Sequence, residues 1–190
     1  MDALTTGICN VAMGVNALGA STTGCRNVAI GMTALGAGVT TGGGNVAIGQ
    51  SSLCDLTSGC QNVGIGSGAG QKITTGICNV FVGAYAGYQN TTGCLNVAIG
   101  ELAMGGAVTT GSNNIAIGRT AMDALTSGPD NIAIGALAAT ALTTPACNIA
   151  IGQDSLTAST TGAHNIAIGI SSLGGADTTG INNVAIGGNA

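Results

Sequence analysis

A short apolar stretch recurs along this chain at a nearly constant interval, always in the same polar frame. The block has the form T-[TS]-[GP]-x-x-N-[VI]-x-[IVM]-G, and it is anchored at Asn10, Asn27, Asn45, Asn62, Asn79, Asn96, Asn114, Asn131, Asn148, Asn165 and Asn183. Successive anchors lie 17 or 18 residues apart, and each is followed four residues later by Gly, from Gly14 to Gly187. Self-similarity at a fixed period marks a repeat architecture, in which each unit stacks on its neighbours because it cannot bury an apolar face alone. Within a unit the apolar positions alternate: Val97 and Ile99 share one side of an extended segment and Ala98 the other. The recurrent Gly and Thr oppose a helix. The pattern therefore predicts an all-β chain: a parallel β-solenoid (β-helix or β-roll) of eleven 17- or 18-residue coils without caps. Residues 1–190 form one uninterrupted repeat array, and the rise is about 4.8 Å per coil, the ordinary strand spacing.

A second apolar column lies four residues past the Gly: Leu18, Leu35, Leu53, Met104, Met122, Leu156 and Leu173, with Gly70, Gly87 and Ala139 as smaller substitutes. A column of Ala or Ser runs just before it, from Ala17 and Ala34 to Ser155 and Ser172. The expected interior is one Val, one Ile and one Leu per coil, with the strand Ala outward. Three units carry an eighteenth residue in the same place, at 36–39, 105–108 and 174–177. A position that accepts insertions is expected to be an exposed corner.

Composition narrows the chemistry. Only 5% of residues are charged and the bases are Arg26, Lys72 and Arg119, so no basic patch exists to displace counterions from nucleic-acid phosphates. A single His164 and seven scattered acids give no metal centre and no cofactor site. No Ser, His and Asp share a column as a triad would require, and the Gly-rich stretches lack the Lys of a phosphate loop; the chain is read as a non-enzyme. No apolar run is long enough to insert in a membrane, and no basic stretch followed by an apolar one marks a signal peptide. The seven Cys are an odd number without a Cys-x-x-Cys pair, and they read as free thiols acting as small buried hydrophobes.

The Asn column is the most regular polar feature, and it is expected to form a structural ladder in which stacked amides satisfy corner backbone groups. The paired Thr columns, Thr5 and Thr6 through Thr178 and Thr179, raise the alternative of an ice-binding solenoid, although adjacent residues on an extended segment point to opposite faces. All three aromatics fall in one coil. Phe81 takes the place of the strand Ala, where it either fills a gap beside Gly64 or marks a special face, and Tyr85 and Tyr88 are candidate contacts for a glycan or protein partner.

The repeated Asn-Val-Ala-Ile-Gly followed by Ala-Leu and Thr-Thr-Gly resembles tandem-repeat virus and phage tail-fibre proteins built from Asn-x-Ala-[Ile/Val]-Gly...Ala-Leu units. It is similar, more loosely, to the β-roll head of trimeric autotransporter adhesins, whose units are shorter. The resemblance implies an attachment or structural fibre on a virion or cell surface, self-associating as a homotrimer and facing a host receptor or glycan. The repeat register adds a second form of self-association: Met1 falls in the Leu/Met column and Ala190 in the column just before it. This register fits either head-to-tail stacking into a filament or a window of a longer fibre.

Overall fold

A computed structural model of the chain describes residues 3–175 and 179–190. Met1 and Asp2, and the end of the third insertion with Asp177 and Thr178, lie outside the described residues. Eleven three-residue strands follow one another in chain order: β1 (Val11–Met13), β2 (Val28–Ile30), β3 (Val46–Ile48), β4 (Val63–Ile65), β5 (Val80–Val82), β6 (Val97–Ile99), β7 (Ile115–Ile117), β8 (Ile132–Ile134), β9 (Ile149–Ile151), β10 (Ile166–Ile168) and β11 (Val184–Ile186). They form one parallel sheet in sequence order, each strand paired with the next in identical register, as in Ala98 opposite Ala116 and Ala116 opposite Ala133. The chain is a β-solenoid, with the repeat period equal to one coil.

The coil closes through bends that use left-handed backbone. The Gly after each strand has φ between 127° and 140°, and a Cβ there would stand within 3 Å of the next coil's backbone wherever a coil follows, for instance 2.7 Å from the Gly118 carbonyl at Gly100. Only Gly meets both demands. Further bends place non-glycine residues at positive φ, among them Leu95 (59°), Tyr85 (56°) and Leu53 (46°). Stacking holds these bends: Leu53 donates its N–H to the Ala69 carbonyl (2.9 Å) and Tyr85 to that of Ser67 (2.9 Å).

The interior corrects the expected orientation of the strands. Ala29, Ala47, Ala98, Ala116, Ala133, Ala150 and Ala167 are fully buried, whereas the Val and Ile on either side of each reach the outer surface, with Ile99 and Ile134 both 37% exposed. The Leu/Met column is inside as expected, with Leu18, Leu35, Leu53, Met104, Met122 and Leu156 fully buried, and the Ala/Ser column beside it is buried as well. A further inward column was not anticipated. It comprises Leu56, Ile73, Leu125 and Leu142, replaced by Ser21, Thr40, Asn90, Thr109 and Ser159 in other coils. The physical reason is volume. A coil of 17 residues encloses a narrow interior that the Leu side chains of the opposite walls already fill, so the strand contributes only a methyl there, and its larger β-branched residues turn outward.

The fifth coil tests this account. Phe81 is fully buried in the Ala column, not outward, and its ring occupies the space that Leu side chains take elsewhere. A Cβ at Gly87 would stand 2.4 Å from the ring and one at Gly70 2.6 Å. Phe81 therefore fills the gap left by two missing Leu side chains of the opposite wall, rather than one beside Gly64.

The eighteenth residue is also accommodated in a specific way. In the coils of 36–41 and 105–110, Val39 and Val108 point outward (53% and 55% exposed), while Thr40 and Thr109 turn inward. Their hydroxyls donate to the Leu56 carbonyl (3.1 Å) and the Leu125 carbonyl (2.9 Å). The corner is exposed as predicted, but it also changes which residue enters the core.

Candidate functional surfaces

The Asn column lies inside the coil wall, where Asn27, Asn45, Asn62, Asn79, Asn96, Asn114 and Asn165 are fully buried and Asn131 and Asn148 nearly so. Asn and the strand Ala are two residues apart and share the inward side of the extended segment. Each Asn from Asn27 onward donates its backbone N–H to the side-chain Oδ1 of the Asn one coil earlier, from Asn27 to Asn10 (2.9 Å) through Asn114 to Asn96 (2.9 Å) and Asn183 to Asn165 (2.9 Å). The Nδ2 atoms reach carbonyls at the next bend, such as Gly42 from Asn27 (3.0 Å), Gly93 from Asn79 (2.8 Å) and Pro145 from Asn131 (2.9 Å). In most coils Nδ2 also donates to the Oδ1 of the Asn one coil earlier, as from Asn45 to Asn27 (3.0 Å) and Asn79 to Asn62 (3.0 Å), so the buried amides are spent on the backbone and on each other and the ladder has structural work.

The outer side of the sheet is different. Its two columns hold 22 positions, all Val or Ile except Met13, and no charge or hydroxyl interrupts them. Rows repeat at the strand spacing, so the face is a continuous apolar strip about 50 Å long. Eight of these positions are exposed and fourteen half-buried, and a contiguous apolar strip of this kind marks a candidate interaction surface.

The two Thr columns separate. Thr5, Thr57, Thr74, Thr126 and Thr143 turn their hydroxyls along the stack and donate to the next coil's carbonyl at 3.0–3.2 Å. The following column, including Thr6, Thr23, Thr41, Thr75, Thr92, Thr110, Thr144, Thr161 and Thr179, is exposed. One exposed Thr column remains, not a two-column Thr face, and even there Thr41 and Thr110 donate to the next coil's carbonyls (3.3 and 3.5 Å).

Of the cysteines only Cys54 is buried; Cys9 and Cys147 are exposed and Cys25, Cys60, Cys78 and Cys94 half-buried. The expectation of buried thiols thus holds at one position, where desolvation raises the Cys54 thiol above its usual range. The other six occupy the two positions before the Asn anchor, which the inward turn of Asn leaves on the surface. All seven are free.

Among the described residues no group of three His, Cys, Asp or Glu is placed to hold a metal ion, and no helix is long and apolar enough to cross a membrane. Asp123, under Gly106, is pushed above the usual carboxylate range by burial, partly offset by the backbone N–H of Gly106, and its Oδ1 has no partner. In the fifth coil Tyr85 is 44% exposed and meets Tyr88 edge to face, with ring centres 5.5 Å apart at 79°. Lys72 Nζ and Asp55 Oδ2 pair at 3.0 Å in the two coils before it. No family model matches the chain, nor does any curated protein or solved structure.

Proposed function

We propose that this chain is a non-enzymatic structural protein, the shaft of a fibre of virus tail-fibre or surface-adhesin type, in which copies associate through the outer Val/Ile face. The observation that carries this reading is the continuity of that face. Its 22 side chains match the number that each partner brings to an interface of standard size, and their burial supplies the hydrophobic driving force for association. The occupant that fits is another copy of the same chain. Only an identical solenoid presents rows at the same spacing along the same length, uncharged throughout. A homotrimer about an axis parallel to the solenoid brings three narrow strips together row by row and leaves no apolar face open. Coil stacking end to end extends such a shaft into a filament displayed on a virion or cell surface.

Sedimentation of the purified chain, with negative-stain imaging, tests the reading. The native chain is expected to run as trimers or longer filaments, and the doubly charged face variant I99D/I134D as a folded chain that no longer associates side by side. A native chain that stays monomeric at high concentration overturns it. A second reading, ice binding, draws on the exposed Thr column. Thermal hysteresis of the native protein, lost when Thr75, Thr92 and Thr110 become Lys, would replace the fibre reading.

A further inference from the structure

The fifth coil departs from the repeat on its outside as well as its inside, and the two departures are separate. Phe81 recuts the core, whereas Tyr85 and Tyr88 add nothing to it: they lie past the Gly83 bend, away from the Val/Ile face. The chain has two Tyr and no Trp, so every exposed aromatic ring of the protein is in this one place.

The surroundings are cut to fit. The residue one coil before Tyr85 is Gly68, where other coils carry Thr33, Ser51 or Leu102. A Cβ at Gly68 would stand 2.7 Å from Cδ1 of Tyr85 and 3.5 Å from Oε1 of Gln71. The Tyr85 ring thus lies down over the preceding coil, with the Gln71 amide at its edge. Tyr88 braces it edge-on at 5.5 Å. Lys72 donates its backbone N–H to the Tyr88 carbonyl (3.0 Å), and its ammonium is held by Asp55 one coil further back (3.0 Å), with both side chains still partly open to solvent.

We propose that Tyr85, Tyr88, Gln71 and the Lys72–Asp55 pair form a contact site for an uncharged saccharide. The chemistry of the patch selects that class. An open aromatic ring offers an apolar plane to the C–H face of a pyranose. The amide of Gln71 donates and accepts, Lys72 donates and Asp55 accepts, which suits the mixed donor and acceptor character of sugar hydroxyls. Because Lys72 and Asp55 neutralise each other, neither a sialylated nor a cationic ligand gains from the site. The patch spans two coil steps, about 10 Å, the length of a disaccharide. This site does not depend on the chain's oligomeric state, since its residues come from three successive coils of one chain.

The test is binding of the native protein to immobilised neutral oligosaccharides ending in glucose, galactose, N-acetylglucosamine or N-acetylgalactosamine, with sialylated versions alongside. Tyrosine emission serves as a second readout, because no Trp masks it. Binding to at least one neutral glycan is expected, with at least a tenfold loss in Y85A and a severalfold loss in Q71A and K72A. Thermal unfolding and sedimentation of all three variants should match the native chain, which separates this site from the association face. Absence of binding to every neutral glycan overturns the proposal. So does binding that Y85A leaves intact, or binding confined to the sialylated set.

Discussion

The two sides of one strand make opposite use of the same three residues. In β8 the inward Ala133 is fully buried, and the outward Ile132 and Ile134 carry most of the strand's apolar surface. In an ordinary half-buried strand the larger apolar residues face the core and the smaller or polar ones face water. Here the interior selects by size and the exterior by hydrophobicity, so the more apolar side of the sheet is the outer one. Such an inversion is stable in a single chain only because the core is closed by other columns, and it leaves the outer side available for association.

Charge placed on either side gives the largest contrast. Ala133→Asp puts an unpaired carboxyl in the Leu-lined interior and is expected to cost at least about 3 kcal/mol. Ile134→Asp should lower the stability of one chain by about 1 kcal/mol or less and weaken the lateral association proposed for this face. Thermal denaturation by circular dichroism, paired with sedimentation, reads both. Equal destabilisation by the two would mean that the sides are not distinct.

The Phe81 coil sharpens the volume argument. Phe81→Ala should leave a cavity and cost about 3–5 kcal/mol, and Gly87→Leu alone should overpack against the ring by about 1–3 kcal/mol. Together they restore one of the two missing Leu side chains, at a column position where Leu53 already holds φ 46°. The double variant is therefore expected to recover at least half of the Phe81→Ala loss, a coupling that denaturant unfolding of all four proteins measures.

A polar flaw inside the core offers a smaller test. Asn90 is fully buried in the column of Leu56 and Ile73, and neither Nδ2 nor Oδ1 has a partner. Unlike the ladder Asn residues it satisfies nothing. Asn90→Leu is expected to raise stability by about 1–3 kcal/mol, the desolvation penalty removed, seen as a higher unfolding midpoint. A drop in the midpoint would show that the amide has a role in the core.

The smallest effect is that of Asp123. Its folded-state pKa is raised by burial, so the folded chain binds this proton more tightly than the unfolded chain does. That contribution to stability is present below the unfolded pKa and is lost as pH rises through the raised folded pKa. Asp123→Asn should flatten this part of the stability profile and leave the neutral-pH fold unchanged. A profile identical to the native one would show that the carboxyl is solvated.

Much of the architecture was legible in the sequence because it repeats. The Asn anchors fixed the coil length and the register, and the Gly at each strand end marked a bend that no other residue can make. The insertions at 36–39 and 105–108 marked a corner. The amide ladder was legible too, since eleven Asn at one column have few ways to be satisfied other than by each other. The outward placement of the Val/Ile face was missed: alternation shows that Val97 and Ile99 share a side, yet it does not say which side is inside. Two signals were present. Asn96 and Ala98 are two residues apart and so share a side. Phe81 occurs together with Gly at 70 and 87, a volume exchange that makes sense only across a core.

The sequence by itself determined the period, the strand positions, the parallel in-register stacking and the polar ladder, because each follows from local backbone chemistry repeated at a fixed interval. Only the tertiary structure decided which strand side is enclosed, that Thr40 and Thr109 replace Leu in the core, and that Tyr85 and Gln71 converge over Gly68 while Lys72 pairs with Asp55. Those outcomes depend on how wide a closed coil is and which side chains of neighbouring coils already occupy it. Such a sum of volumes across the stack is one that no single repeat contains.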